Sequence, residues 1–297
     1  MSIAAEAWFK EIWHDDVVRA YGNKGFLLKS MVKPPVKVDG KVLYFPSSPA
    51  AGLATETKRG DTLKPINAGY STIQIVTKEY EAPEEIFTRD INRMMASETQ
   101  EAKIRSAKAL GKRHDKVIMD AIHAGAGNYG TTIGAFNAAW DIDKAMAVYD
   151  ALATQTDSDA DEFFCVLPVR AFSQLMARQA FNRSEYVGDY PLMTGTRART
   201  WNKIHWVEGY DSLFPKSGTD LTFYAWAKMA IGSGDTSTPE HTQGGENGIR
   251  TDINYDPRKR CYIADATIEV GATVLQTAGV VECRMKSDSA ITVTAGL

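Results

Sequence analysis

Two strand-like runs, KVLYFP at 41–46 and YSTIQIVTKEY at 70–80, bracket the segment SSPAAGLATETKRGDTLKPINAG. Both runs are rich in the β-branched and aromatic residues that strands favour. The segment between them offers only Leu53, Leu63 and Ile66 as bulky apolar side chains. A structureless connection of this length is uncommon inside a compact domain. Folded back on itself, the stretch 36–82 reaches at most roughly 75 Å at ~3.3 Å per residue. A lone two-stranded hairpin is marginal in water. The stretch therefore lacks a core of its own and must lie on something else, either the rest of its chain or a neighbouring copy.

The longest helical pattern is SETQEAKIRSAKALGKRHDKVIMDAIHAG, from Ser97 to Gly125. Ser97 with Gln100 forms a capping box, and Gly125 supplies the stop. At ~1.5 Å per residue the helix is ~42 Å long. Ile104, Ala107, Leu110, Gly111, Val117, Ile118, Ala121 and Ile122 share one arc, with His114 in its middle. Arg105, Lys108, Lys112, Arg113 and Lys116 fill the opposite arc together with Asp120 and His123. The set His114, Asp115, Asp120 and His123 looks like metal ligands or an acid–base pair. Asp120 and His123 are spaced to meet, but they lie away from His114, and two groups are too few for zinc. His114 reads as a part-buried histidine bonded to a neighbour. The helix reads as a strut whose basic stripe is solvated, or faces an acidic subunit or a nucleic-acid backbone.

Around the strut, residues 3–20 read as a helix with Trp8, Ile12, Trp13 and Val17 at helical spacing, bulky groups that need a surface to bury against. FLLKSMV then stops at Pro34-Pro35. Pro83 opens a predicted short helix, PEEIFTRDINRMM. After a Gly-rich loop at 125–139, helices are expected at 141–154 and 168–181. Strands are expected at 163–169, 204–207, 221–231, 261–270 and 280–286, and a polar loop at 232–248.

Several motifs fail on context. GAGNYG at 125–130 follows a helix instead of a strand, so it is not a dinucleotide loop. DSDAD at 157–161 is followed by Glu162 and Pro168 where a calcium loop needs Gly and Glu. His14-Asp15-Asp16 diverge on a helix, and His205 and His241 have no local partner. DPRKR at 256–260 reads as a basic turn. No nucleophile elbow, P-loop or HExxH occurs. No cofactor, metal or catalytic residue is expected. The net charge of -3 rules out a polyelectrolyte partner for the whole molecule. Cys165, Cys261 and Cys283 are odd in number and far apart, which fits a reducing compartment. The N-terminus lacks a signal-peptide pattern, and no apolar run of about 18 residues suggests a membrane span.

The order of elements carries a resemblance. An N-terminal arm, a long hairpin, a one-sided helix, an α/β middle and closing strands (CYIADATIEVGATVLQTAGVVEC) together resemble the major capsid proteins of tailed double-stranded-DNA phages, the Hong Kong-type, HK-ninety-seven-like fold. The text LTFYAWAKMAIGSGD is similar to that family's late axial strand. The resemblance implies an α+β fold with an arm at 1–35, an extended E-loop at 36–82, a peripheral domain at 83–135 and 250–297 bearing the spine helix, and an axial domain at 136–249. It implies hexamers and pentamers closing an icosahedral shell around double-stranded DNA, assembled in the host bacterial cytoplasm. Trp8 and Trp13 in the arm and Leu53, Lys58, Arg59, Asp61 and Leu63 in the loop become inter-subunit contacts, and loops such as 232–248 meet at the capsomer centre. Arg105, Lys108, Lys112, Arg113 and Lys116 become DNA-facing candidates. The short stretch before residue 36 implies a separate scaffolding protein, or none, and a portal is expected. Lys58 and Lys64 lie in the loop without identifiable partners for covalent cross-links. Two alternatives stay open: an encapsulin-like nanocompartment shell, and a soluble oligomeric enzyme.

Overall fold

The computed structural model describes residues 25–34, 36–37, 42–47, 69–87, 98–156, 162–178, 181, 198–235 and 249–291. The expected arm helix at 3–20, the DSDAD turn and His241 fall outside them. So do all seven expected contact residues: Trp8, Trp13, Leu53, Lys58, Arg59, Asp61 and Leu63.

The strut exists. Helix α1 spans Glu98–Ala124, and its buried side winds around the axis as the helix advances. Near its start Ala102, Ser106 and Leu110 are buried; further on Asp115, Ile118, Met119 and Ile122 are. Two different surfaces cover these two stretches.

The first is a six-stranded sheet built around β14 (Cys261–Val274). Its helix-facing residues Ala264, Ala266 and Ile268 alternate along the strand and pack on Ala102 and Leu110. β4 (Lys78–Glu81) and β5 (Glu84–Phe87) pair with β14 on one side. On the other side β12 (Ile231–Asp235) covers residues 270–274 and β13 (Arg250–Asp256) covers 261–267. These two run in line along β14. β1 (Val36–Lys37) adds to β12 in parallel at Gly234 and Asp235.

The second surface belongs to a seven-stranded mixed sheet, ordered β6 (Thr132–Gly134), β15 (Val280–Lys286), β11 (Asp220–Ala227), β7 (Phe163–Pro168), β9 (Ile204–Gly209) and β8 (Ala198–Trp201), with β10 (Lys216–Ser217) on β11. β11 is buried on both faces. Phe223 meets Trp140 edge-on at 4.8 Å, on the side covered by α2 (Ile142–Gln155), which Asp141 caps through the Lys144 amide. Tyr224 and Trp226 face the other side, where Tyr224 meets His123 of α1 and the Trp226 indole donates to the Met31 carbonyl at 2.9 Å. α3 (Val169–Met176) continues from β7. Residues 26–33 run between the two sheets: the Phe26 amide donates to the Gly111 carbonyl and the Lys33 amide to that of Ile231.

Three expectations are corrected here. The helix predicted from Pro83 is instead strand β5 where it is described, because Ile86 fills a buried slot between Ala102 and Ala264. The strand predicted at 221–231 breaks at a 3-10 turn, Lys228–Ala230, and so feeds both sheets. The loop predicted to begin at residue 232 is strand β12 as far as Asp235, fully buried. β15 lies in the seven-stranded sheet, and β4 pairs with β14 in the six-stranded one.

The tightest backbone approach is at Gly25, whose φ is +77° and whose missing Cβ would lie 2.0 Å from the Gly111 carbonyl carbon. Gly25→Ala is expected to lower unfolding free energy by about 3 kcal/mol, from overpacking and left-handed backbone strain together. Urea unfolding of the two proteins checks this; an unchanged midpoint would remove the crossing from the stability of the fold.

Candidate assembly surfaces and their buried junction

At the centre of α1, Asp115 is fully buried and faces the chain at 27–28. Its two oxygens accept from the Leu27 and Leu28 amides, each at 3.0 Å, and Oδ2 also accepts from the Tyr210 hydroxyl at 3.3 Å. One carboxylate thus takes up backbone donors that no strand or helix satisfies. Next to it, His114 is buried with Nε2 3.0 Å from Asp235 Oδ2, and its Nδ1 lies 3.9 Å from Asp115 Oδ1. Phe26 lies over the imidazole, centroids 5.1 Å apart. Asp235 ends β12 beside Lys37 of β1. The junction therefore joins α1, the segment leading out of the N-terminal region, and the root of the projection.

Burial alone would push the His114 pKa down. The neighbouring carboxylates Asp115 and Asp235 outweigh it, and the pKa is held above the ordinary 6.5. His114 thus sits between two carboxylates, bonded to Asp235 and 3.9 Å from Asp115, the kind of partners a buried charge needs.

The root of the projection is anchored on its own subunit. β2 (Val42–Ser47) and β3 (Ser71–Val76) pair with Leu43 opposite Ile75 and Phe45 opposite Ile73. Leu43, Phe45 and Ile75 are buried with Leu275 beside them. Lys33 lies 5.2 Å over the Phe45 ring, and the Thr77 hydroxyl donates to Glu269 at 2.5 Å. The opposite face is open: Tyr44 is 65% exposed, Val76 47%, and Tyr70 at the margin 83%. Of the two supports the sequence left open, the chain's own body takes one face of the hairpin root.

The five basic candidates on α1 separate. Arg105 donates to Glu84 at 2.7 Å, Arg113 lies 4.4 Å over the Tyr80 ring, and Lys116 pairs with Asp120 at 3.0 Å. Among the described residues Lys108 and Lys112 have no ion pair. His123 takes the Tyr224 hydroxyl at 2.5 Å and does not join Asp120. His205 bonds Thr200 and stacks on Phe164. GAGNYG forms a turn in which the Tyr129 hydroxyl donates to the Ile122 carbonyl. Among the described residues no group of three or more His, Cys, Asp or Glu is placed to hold a metal, and no helix is long and apolar enough to cross a membrane. Cys165, Cys261 and Cys283 are free and buried.

The sequence points to His114 as a bonded histidine and shows Asp115 only as one of a ligand-like set; Tyr210 and Asp235 it does not reveal. A signal for Asp115 was present: with Ile118, Met119 and Ile122 it completes an i, i+3, i+4, i+7 pattern, so a carboxylate occupies an otherwise apolar stripe.

The sequence matches the phage capsid protein family over residues 5–287. Among solved structures, the chain is similar to one from Mycobacterium phage Che8 (17% identity, TM-score 0.65, covering 93% of this chain and 97% of that one). It is also similar to the capsid of cyanophage P-SCSP1u (13% identity, TM-score 0.72, 97% and 96%) and to that of cyanophage Pam1 (11%, 0.69, 97% and 99%). No curated protein matches it.

Asp235→Asn is expected to destabilise the fold by about 3 kcal/mol near pH 6, where it breaks a buried charged pair. A histidine with a raised folded pKa contributes fully below its unfolded value near 6.5, and the contribution fades as pH rises through the folded pKa. The stability gap between wild type and variant should therefore shrink as pH rises above 6.5. Urea unfolding across a pH series measures it; a gap that widens or stays flat contradicts the charged bridge.

Proposed function

The chain belongs to the phage capsid protein family, and we propose that its copies assemble as hexamers and pentamers into an icosahedral shell around double-stranded DNA. It is a structural protein of the capsid, with a mixed helix-and-sheet phage capsid fold. The observation that carries the shell reading is the hairpin root. One face is fixed to the body while the other offers Tyr44, Val76 and Tyr70 to solvent, and the sequence beyond it, residues 48–68, has only Leu53, Leu63 and Ile66 as bulky apolar side chains, too few for a core. A stiff base with a tip that cannot support itself suits a projection lying over an adjacent subunit.

In this reading residues 1–35 form an arm, 36–82 the projection, 83–135 with 250–297 a peripheral unit, and 136–249 an axial unit. Trp8 and Trp13 pack beneath a neighbour, and Leu53, Lys58, Arg59, Asp61 and Leu63 make the contacts of the projection. Many weak contacts per subunit multiply into a stable shell. The work is mechanical and needs no catalysis. The exposed side of α1 faces packaged DNA by non-specific charge, chiefly through Lys108 and Lys112, since Arg105, Arg113 and Lys116 already serve groups of their own subunit. A separate scaffolding protein and a portal complete the assembly in the host cytoplasm.

Lys58→Glu with Arg59→Glu should abolish or strongly reduce shell formation while leaving the far-ultraviolet circular dichroism and melting temperature of the subunit unchanged. Negative-stain images and sedimentation read the outcome. Normal shells from this variant would count against the tip as an interface.

A further inference from the structure

The helix-facing side of β14 is covered by α1 only as far as Ala264, which packs on Ala102 and Ile86. One register pair further out, Tyr262 lies opposite Tyr255, while Ile253 lies opposite Ala264. These three share that side of the sheet and are 39%, 50% and 42% exposed respectively. The two tyrosine rings lie 5.2 Å apart. They form one contiguous apolar ledge, unlike the scattered exposed side chains common on protein surfaces. The turn that closes the hairpin carries Arg258, Lys259 and Arg260, all exposed. Asp256 fixes the turn by accepting from the Arg258 amide at 2.8 Å, and Lys259 pairs with Glu85. The ledge thus has an aromatic floor and a basic rim.

We propose that this ledge is the seat for residues 6–16 of a neighbouring copy. The proposal rests on the shell reading and deepens it by naming the surface the arm meets. An occupant must be apolar with acidic flanks. The segment EAWFKEIWHDD carries Trp8, Phe9, Ile12 and Trp13 with Glu6, Glu11, Asp15 and Asp16 against a single Lys10. At helical spacing Glu11 and Asp15 sit one turn apart beside Trp8 and Ile12. Tryptophan is favoured at the centre of interfaces, and its indole attracts guanidinium groups. The chain is fixed at Gly25 against Gly111, and the residues between 16 and 25 span roughly 30 Å at ~3.3 Å each. That length lets the segment leave its own subunit. Among the described residues the ledge remains exposed, which leaves it available to an arm.

The test is a charge swap in the full chain. Arg258→Glu with Arg260→Glu should raise the chain concentration needed for assembly about tenfold or more, the effect of ~1.4 kcal/mol of contact energy. Circular dichroism and melting temperature should not move. Glu11→Lys with Asp15→Lys should do the same, and combining all four changes should restore assembly. A mixture of the two defective proteins should also assemble, because each arm then finds a ledge of opposite charge on the other copy. Normal assembly of the Arg258→Glu, Arg260→Glu chain overturns the seat while leaving the shell reading intact. So does failure of the fourfold variant to recover. Recovery of the fourfold variant without recovery of the mixture puts the seat within one chain and overturns the inter-copy contact. A wild-type chain that stays monomeric at every concentration, with no particles in negative stain, overturns the shell reading itself.

Discussion

The Leu27 and Leu28 amides are held by one buried carboxylate on a helix far away in sequence, and the architecture depends on that bond. Without Asp115 these donors would be buried unpaired, at a cost of about 1–3 kcal/mol each. The segment carrying Leu28, Met31 and Val32 into the main core would lose its fixed entry. Through His114 the same site holds Asp235, and through β12 and β1 it reaches the first residues of the projection. Helix α1, the 27–28 segment and the start of the projection therefore share one buried junction.

Around that junction, surfaces divide by chemistry. The projection root is apolar toward its own body and aromatic toward solvent. On α1, Arg105, Arg113 and Lys116 are engaged by their own subunit's Glu84, Tyr80 and Asp120, which leaves Lys108 and Lys112 as the cations proposed to meet nucleic acid. The hairpin end of β13 and β14 combines aromatic and basic groups. Membership in the phage capsid family favours a shell over an enzyme, and no observation in the structure favours a nanocompartment.

Much of this was legible from local pattern. The long helix follows from a capping box and a sustained apolar arc, and β2, β3, β7, β11, β14 and β15 follow from β-branched and aromatic runs. What escaped was decided across the fold. IGSGD at 231–235 has no strand propensity, yet it is buried strand because only small residues fit there: a Cβ on Gly232 would touch the Leu275 side chain at 3.0 Å. PEEIF carries helix-start signals, yet tertiary pairing with β14 overrides them. His114 was readable as a bonded core histidine, but its partner Asp235 lies 121 residues away, and Asp115 reaches Leu28 across 87. No window along the chain contains both ends of those bonds.

With its amides held by Asp115, the 27–28 segment cannot open while the rest of the subunit stays folded. Native-state hydrogen exchange of the Leu27 and Leu28 amides measures this directly. They should exchange only with global unfolding, as slowly as the central amides of β11 such as Tyr224. Exchange of Leu27 and Leu28 orders of magnitude faster than that core would show that the junction opens by itself, and the account of one shared buried junction would fail.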